Sequence, residues 1–412
     1  MTSSASRPKS PPAAAAAAPA ALPGTRLDSL TGLRWIAAFA VFLNHLTTLL
    51  PLPHTDAVFA LGASGVTFFF VLSGFVLTWT RLEGDRAGAF YGRRFARIWP
   101  VLAVGALLPL VLQLPGVPDG ETGDVVLMAV SAVLLLQAWV PGWILGGTSP
   151  VTWSLACEAF FYALFPFVGR FTLRRSLRWL AGAAVALVLI GWGIRVWLWE
   201  AYPPQARPAF TGMDGLIFGV YSPIARVWEF LLGVVAAAAV RKGWRSPLGT
   251  GAATTVLAAG LLVLWLLRDE TWRAFVVYDA LGQVTAPLYA LMVVAVAQRD
   301  LSGRSSWLGT RPMVFLGEWS YAFYLLHFTV LFEIASAVFD RNSVIEFYLR
   351  PVGASWSNAG WALLALGVTT ALCALLHRFY ERPLELRLRA RLGRRDAPRV
   401  ESAGVPARGN AA

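Results

Sequence analysis

Residues 32–46 read GLRWIAAFAVFLNHL and open an apolar stretch that runs over 33–51. A helix crosses the hydrocarbon core of a bilayer in roughly 17–25 residues, so this stretch has the length of one span. It carries two groups that do not belong against lipid, Arg34 and His45. At 100° per residue their separation brings both side chains within roughly 20° of one helix face, roughly 16 Å apart along the axis. A cation near one membrane surface thus shares a face with an imidazole deep in the membrane. Ionisable groups are costly there, which makes an intramembrane histidine a functional candidate. The plainer reading is a histidine that hydrogen-bonds a neighbouring helix.

Working outward, the chain is 57% hydrophobic and only 14% charged. Apolar runs of spanning length recur at 33–51, 57–80, 98–114, 151–168, 178–199, 225–240, 249–267, 279–297, 313–339 and 358–377. The predicted fold is all-α: a polytopic transmembrane helix bundle of about ten spans. A further piece, 125–140, is short for a span and is expected to be partial, re-entrant or interfacial.

The net charge of +12 invites a nucleic-acid reading, but its distribution argues against one. With the N-terminus inside, the connections on that side carry 27 Lys and Arg against 5 on the other. That is the positive-inside pattern, and it predicts both termini in the cytoplasm. Residues 1–26, rich in Pro, Ala and Ser, are expected to be a disordered cytoplasmic arm. The membrane domain is expected over 27–385. Residues 386–412 read as a basic tail, with no soluble second domain and no secretory signal peptide. Cys157 and Cys373 both fall in apolar spans, and the four histidines lack metal-ligand spacing, so no metal site is expected. No phosphate-cradling glycine loop occurs.

The remaining intramembrane polar groups cluster. TFFFVLSGFVLTW (67–79) holds Ser73 and Gly74, where a small residue lets a neighbouring helix approach. FYGRRFARIW (90–99) places Arg93 and Arg97 on one face at the entrance of the third span, with Arg94 beside them. They serve either as positive-inside anchors or as a clamp for a phosphorylated ligand. TWSLACEAFFY (152–162) buries the carboxylate of Glu158. ARVWEFLLG (225–233) sets Arg226 and Glu229 three apart, a spacing that predicts a structural pair at the outer interface. LGEWSYAFYLLHF (316–328) aligns Ser320, Tyr324 and His327 on one face, with Tyr321 next to them. In HRFYERP (377–383), Pro383 is expected to end or turn the last span, with Glu381 and Arg382 capping it.

In this order, LDSLTGLRWIAAFAVFLNH, FFFVLSGFVLTW, YGRRFARIWP, TWSLACEAFFY, RVWEFLLG, LGEWSYAFYLLH and FYERP resemble the integral-membrane acyltransferase family 3. The resemblance covers residues 27–385. Its specific element is Arg-x10-His, matched by Arg34 and His45. Arg93 and Arg97 match the family's basic element before the third helix, Glu158 the acidic position of W-S-L-x-x-E, and Ser320, Tyr321, Tyr324 and His327 its S-Y-x-x-Y-L-x-H segment. After Glu158 this chain has Ala159 where many members have Gln, so a role for that glutamine does not transfer. Many glycan-modifying members carry a fused extracytoplasmic hydrolase-like domain, and none is expected in this chain.

The resemblance implies a bacterial cell-membrane enzyme. It would move an acyl group from cytoplasmic acyl-CoA to a hydroxyl of a glycan, glycolipid or secreted natural product, with no permanently bound cofactor. Two lysines among 35 basic residues, with abundant alanine, point to a high-GC genome. That is similar to the family's antibiotic-tailoring members in actinobacteria, whose acceptors include macrolide-type compounds. On this reading Arg93, Arg94 and Arg97 hold the donor's phosphates. His45 acts as general base or as acyl carrier, and Glu158 orients it. Ser73, Tyr324 or His327 could donate to the oxyanion. The rival from another class is a proton-coupled exporter, which would carry the same buried His, Glu and Arg but would show paired half-sequences with broken helices.

Overall fold

The computed structural model describes residues 25–81, 84, 86–113, 122–144, 149–202, 214–267 and 280–395. No strand occurs among them. Taking the helices of twelve residues or more in chain order, α1 is Asp28–Leu49, α2 Ser64–Thr80, α3 Ala87–Gln113 and α4 Thr122–Val133. Next come α5 Trp153–Leu173, α6 Leu177–Ala201, α7 Pro223–Arg241 and α8 Thr250–Leu266. The last four are α9 Leu281–Leu301, α10 Arg311–Phe339, α11 Asn358–Leu376 and α12 Arg382–Arg395.

Each of the ten expected spans is a helix. Eight of these helices are long and apolar enough to cross a membrane, and α8 is apolar but shorter. The remaining one, α1, has 22 residues, and Arg34, Asn44 and His45 dilute its hydropathy. The fold is therefore a polytopic helical bundle. Residues 125–140 form α4 and then short 3-10 turns. At 1.5 Å per residue α4 is roughly 18 Å long, well short of a bilayer core, and it ends where Leu135 takes a left-handed φ of 60°.

α1 packs along α10 and touches α2 and α9, while α2 packs along α7, which meets α5 and α6. Glycine sets the closest of these approaches. A Cβ on Gly74 would lie 2.0 Å from the Phe230 carbonyl oxygen, and one on Gly233 would lie 1.9 Å from that of Val71. The α2 and α7 backbones are thus in direct contact at both positions, and Gly74 is a packing residue.

One face of the bundle gathers the basic connections. There the Ser29 backbone N–H and hydroxyl donate to the Asp300 carboxylate at 2.9 and 2.6 Å, and Arg26 donates to Glu318 at 3.0 Å. Arg241 donates to the Thr78 carbonyl at 2.8 Å. At the opposite face the Asn358 amide donates to the Pro51 carbonyl at 2.9 Å.

The chain does not stop or cap where Pro383 suggested. His377–Glu381 forms a π-turn, and α12 follows directly with Pro383 in its first turn. A widened turn accommodates the N–H that proline lacks. Glu381 does not cap the helix end. It is buried, 5% exposed, and accepts from His377 Nδ1 at 2.9 Å. α12 packs on α3, is described as far as Arg395 and so extends beyond the expected domain end at 385. Residues 1–24 and 396–412, which hold most of the two expected disordered segments, lie outside the described residues.

Candidate active site

The side chains of α1 and α10 that face each other make the centre of the site. His45 Nδ1 lies 3.0 Å from His327 Nε2, and His327 Nδ1 lies 3.0 Å from the Phe323 carbonyl oxygen of its own helix. A carbonyl can only accept, so His327 Nδ1 carries the hydrogen in the neutral ring. His327 Nε2 is then an acceptor, and His45 Nδ1 must donate to it. The remaining nitrogen, His45 Nε2, is left with a lone pair. The protein thereby fixes one tautomer of His45, the basic atom being Nε2.

Aromatic rings hold the pair. Phe323 stacks on His327 at 5.9 Å with an 8° interplanar angle, and Phe328 meets His45 edge-on at 5.0 Å. His327 is 0% exposed and His45 is half-buried.

A narrow cavity of about 60 Å³ lies beside this pair, separated from it by Tyr324, and neither histidine lines it. Arg34, Glu158, Ser320, Tyr321 and Tyr324 line it, together with Phe69, Phe70 and Ser154. Four helices, α1, α2, α5 and α10, therefore contribute to one space. The Tyr324 ring is 5.8 Å from that of His327, and Phe69 closes on Tyr324 edge-on at 5.9 Å. The Tyr324 and Ser154 hydroxyls share a hydrogen bond of 2.8 Å, and Tyr324 also donates to the Val151 carbonyl at 3.3 Å.

Glu158 makes no hydrogen bond to His45 and no ion pair within 4.0 Å among the described residues. The group that orients His45 is His327. Glu158 instead shares the cavity with Arg34, and the charges of Arg97, Glu158 and Glu381 all act on the Arg34 guanidinium.

The α3 arginines do not line this space, although the charge of Arg97 acts on Arg34. Tyr321 donates to the Ile98 carbonyl at 3.0 Å, which ties α3 to α10 beside Arg97. Arg97 is 4.0 Å from Glu385 of α12, and Arg94 lies over the Phe90 ring at 5.9 Å. Arg93 is on the same turns and half-buried.

Other expected site residues fall elsewhere or are occupied. The Ser320 hydroxyl donates to the Gly317 carbonyl at 2.7 Å within its own helix. Ser73 does not line the cavity, and its buried Oγ lies beside the Tyr162 hydroxyl. Both ring nitrogens of His327 are engaged by the Phe323 carbonyl and His45. No metal-binding cluster of His, Cys, Asp or Glu occurs among the described residues.

The structure adds Ser154, Tyr162 and Glu381. Tyr162 lies one helical turn beyond Glu158 and feels its charge. In the sequence Ser154 is signalled only as the serine of the W-S-L-x-x-E motif. The Arg226–Glu229 pair forms at 3.0 Å and is enclosed by protein: Glu229 is 1% exposed, and Arg226 also donates to Thr67 at 3.0 Å between the Phe70 and Trp153 rings. The sequence spacing could not show that α2 covers it.

A family described as "Acyltransferase domain" matches residues 27–378. Acyltransferase MdmB of Streptomyces mycarofaciens is 35% identical, over 90% of this chain and 93% of that protein. Peptidoglycan O-acetyltransferase OatA of Listeria monocytogenes is 24% identical over 87% of this chain and 56% of OatA. Nodulation protein 10 of Rhizobium leguminosarum is 26% identical over 83% of this chain and 94% of its own length. No solved structure matches. With the family's domain running from Leu27, at the threshold of α1, to Arg378, inside the last π-turn, this chain belongs to the integral-membrane acyltransferase family 3.

Proposed function

We propose that this protein takes an acyl group from acyl-CoA at its arginine-rich face and transfers it to a hydroxyl of a glycan, glycolipid or secreted natural product. The observation that supports this most directly is the chain from the Phe323 carbonyl through His327 to His45, which leaves His45 Nε2 basic. An imidazole has an unperturbed pKa near 6.5, so the neutral ring is available at pH 7.

His45 Nε2 removes the proton of the acceptor hydroxyl as its oxygen attacks the thioester carbonyl carbon. The tetrahedral intermediate collapses, the C–S bond breaks, and the leaving thiolate takes the proton back from His45. The transient imidazolium keeps its Nδ1–H bond to His327, a charge-assisted bond that a lone histidine would lack.

The donor's dimensions suit this arrangement. Its pantetheine arm is about a dozen bonds long, roughly 15 Å when extended as a peptide chain extends. Arg34 and His45 are roughly 16 Å apart along α1. The diphosphate would then lie near Arg93, Arg94 and Arg97, and the thioester would reach His45 once the Phe69 and Tyr324 rings move aside. Positive-inside placement of the basic connections makes the arginine-rich face cytoplasmic, with both termini on that side of the bacterial cell membrane. The relation to OatA, a peptidoglycan O-acetyltransferase, supports a glycan-like hydroxyl acceptor.

The test is release of free thiol from acetyl-CoA by the purified protein in lipid nanodiscs, with and without envelope glycans or cell extract as acceptor. The wild type should release thiol in an acceptor-stimulated manner, and His45→Ala should lower the rate by about 10²–10⁴ while remaining folded. Near wild-type turnover by His45→Ala would overturn the assignment. Proton-coupled flux without thiol release would favour the exporter.

A further inference from the structure

A second basic cavity lies away from the α3 arginines. Arg81, at the end of α2, and Arg170, Arg174 and Arg175, at the end of α5, line one space of about 500 Å³ floored by Phe167 and Phe171. No carboxylate lines it among the described residues. Arg170, Arg174 and Arg175 are exposed, and Arg175 lies 3.9 Å over the Phe171 ring, a contact that fixes its guanidinium at the edge of the cavity.

On the other side of Phe171 the surface is apolar. A groove of about 580 Å³ runs between α5, α6 and α7, lined by Phe171, Trp179, Ala183, Ala186, Ile190 and Leu231. Small residues on α6 open it. Along α6 it extends from Trp179 to Ile190, roughly 16 Å at helical rise, about half the thickness of a bilayer core. A four-arginine cavity at the membrane surface therefore continues, through one shared phenylalanine, into an apolar channel one leaflet deep.

We infer that this is a binding site for one anionic glycerophospholipid. The headgroup phosphate sits among Arg81, Arg170, Arg174 and Arg175, and an acyl chain lies in the α5–α6–α7 groove. Guanidinium forks match phosphate oxygens, and basic pockets between membrane helices favour anionic headgroups. A soluble phosphate compound would use the cavity and leave the groove to bulk lipid. A zwitterionic lipid would use the groove without the charge match. Only an anionic lipid fills both.

Native mass spectrometry of the full chain, released from nanodiscs of phosphatidylcholine with a minor share of phosphatidylglycerol, reads this directly. The expected result is retention of one phosphatidylglycerol per chain. Arg170→Ala/Arg174→Ala should lower that retention by about thirtyfold, at about fivefold per arginine. Ala183→Trp/Ala186→Trp fills the groove without touching a charge and should lower it as well, with both proteins monodisperse and equally stable to heat. Equal retention of phosphatidylcholine, or unchanged retention in the double arginine variant, would overturn the proposal. Displacement of the lipid by free CoA or pyrophosphate would do the same, by assigning the cavity to a soluble phosphate.

Discussion

Replacing His327 tests the proposed chemistry more sharply than replacing His45, because His327 acts only through its neighbour. In His327→Ala the 3.0 Å acceptor on His45 Nδ1 disappears. The Nδ1–H is then left with only the Val41 carbonyl of its own helix, and the imidazolium loses the acceptor that α10 supplies during transfer. A hydrogen bond to a charged group is worth about 1.5–3 kcal/mol, so kcat should fall by roughly 10- to 100-fold. The donor KM should hold, because the donor's phosphates are bound elsewhere. His327→Gln offers an amide oxygen in place of Nε2 and should recover part of the loss. His45→Ala/His327→Ala should be no slower than His45→Ala, since two residues acting as one unit are not additive. The assay is acetyl-CoA thiol release in nanodiscs, normalised to folded protein. If His327→Ala lowers thermal stability yet leaves kcat intact, His327 is a packing residue. If the Gln variant is as slow as the Ala variant, the acceptor role of Nε2 is wrong.

Arg93→Ala and Arg97→Ala should each weaken acetyl-CoA binding by about 2–5 kcal/mol if the contact is desolvated, with little effect on the acceptor. An unchanged donor KM in both would make them topology anchors, and 3′-dephospho-CoA esters would show which phosphate each one holds. Cysteines introduced as Ala5→Cys and Val405→Cys should both resist an impermeant thiol reagent in intact cells, and labelling of either would reverse the proposed orientation. Arg226→Met leaves the Glu229 carboxylate buried and alone and should cost about 3–5 kcal/mol, seen as a lower Tm. Arg226→Met/Glu229→Leu should recover most of that loss, and if it does not, the pair is more than structural.

Eight helices were legible because their apolar runs are of spanning length, and the 12-residue α4 was legible as partial for the converse reason. The face shared by Arg34 and His45 follows from helical period alone. What the period cannot supply is which helix stands opposite. His45 and His327 are 282 positions apart, and nothing local to either says that they meet at 3.0 Å. For the same reason the triad analogy assigns Glu158 to orient His45, whereas the side chain 3.0 Å from His45 is His327. Pro383 misled in a different way. Its missing N–H usually ends a helix, but a π-turn absorbs the defect here, and that turn carries Glu381 inward to bond His377.

Two carboxylates on spanning helices, the half-buried Glu158 and the fully buried Glu229, show how the site divides from its scaffold. Glu229 is matched at once: Arg226 bonds it at 3.0 Å, Thr67 bonds the same guanidinium, and a Cβ on Gly282 would come within 3.0 Å of Oε1. The geometry of that pair locks α2 to α7. Glu158 has no such partner within 4.0 Å among the described residues, yet it borders a cavity shared with Arg34 and lies under the charge of Arg34 from across that space. Glu158 is half-buried, shares a hydrogen bond with Tyr162 one turn on, and keeps the rest of its accepting capacity toward the cavity. The amide and hydroxyl groups of a pantetheine arm are donors of the right kind, and the cavity lies on the path from the α3 arginines to His45. On this argument Glu229 maintains the architecture, and Glu158 waits on the donor.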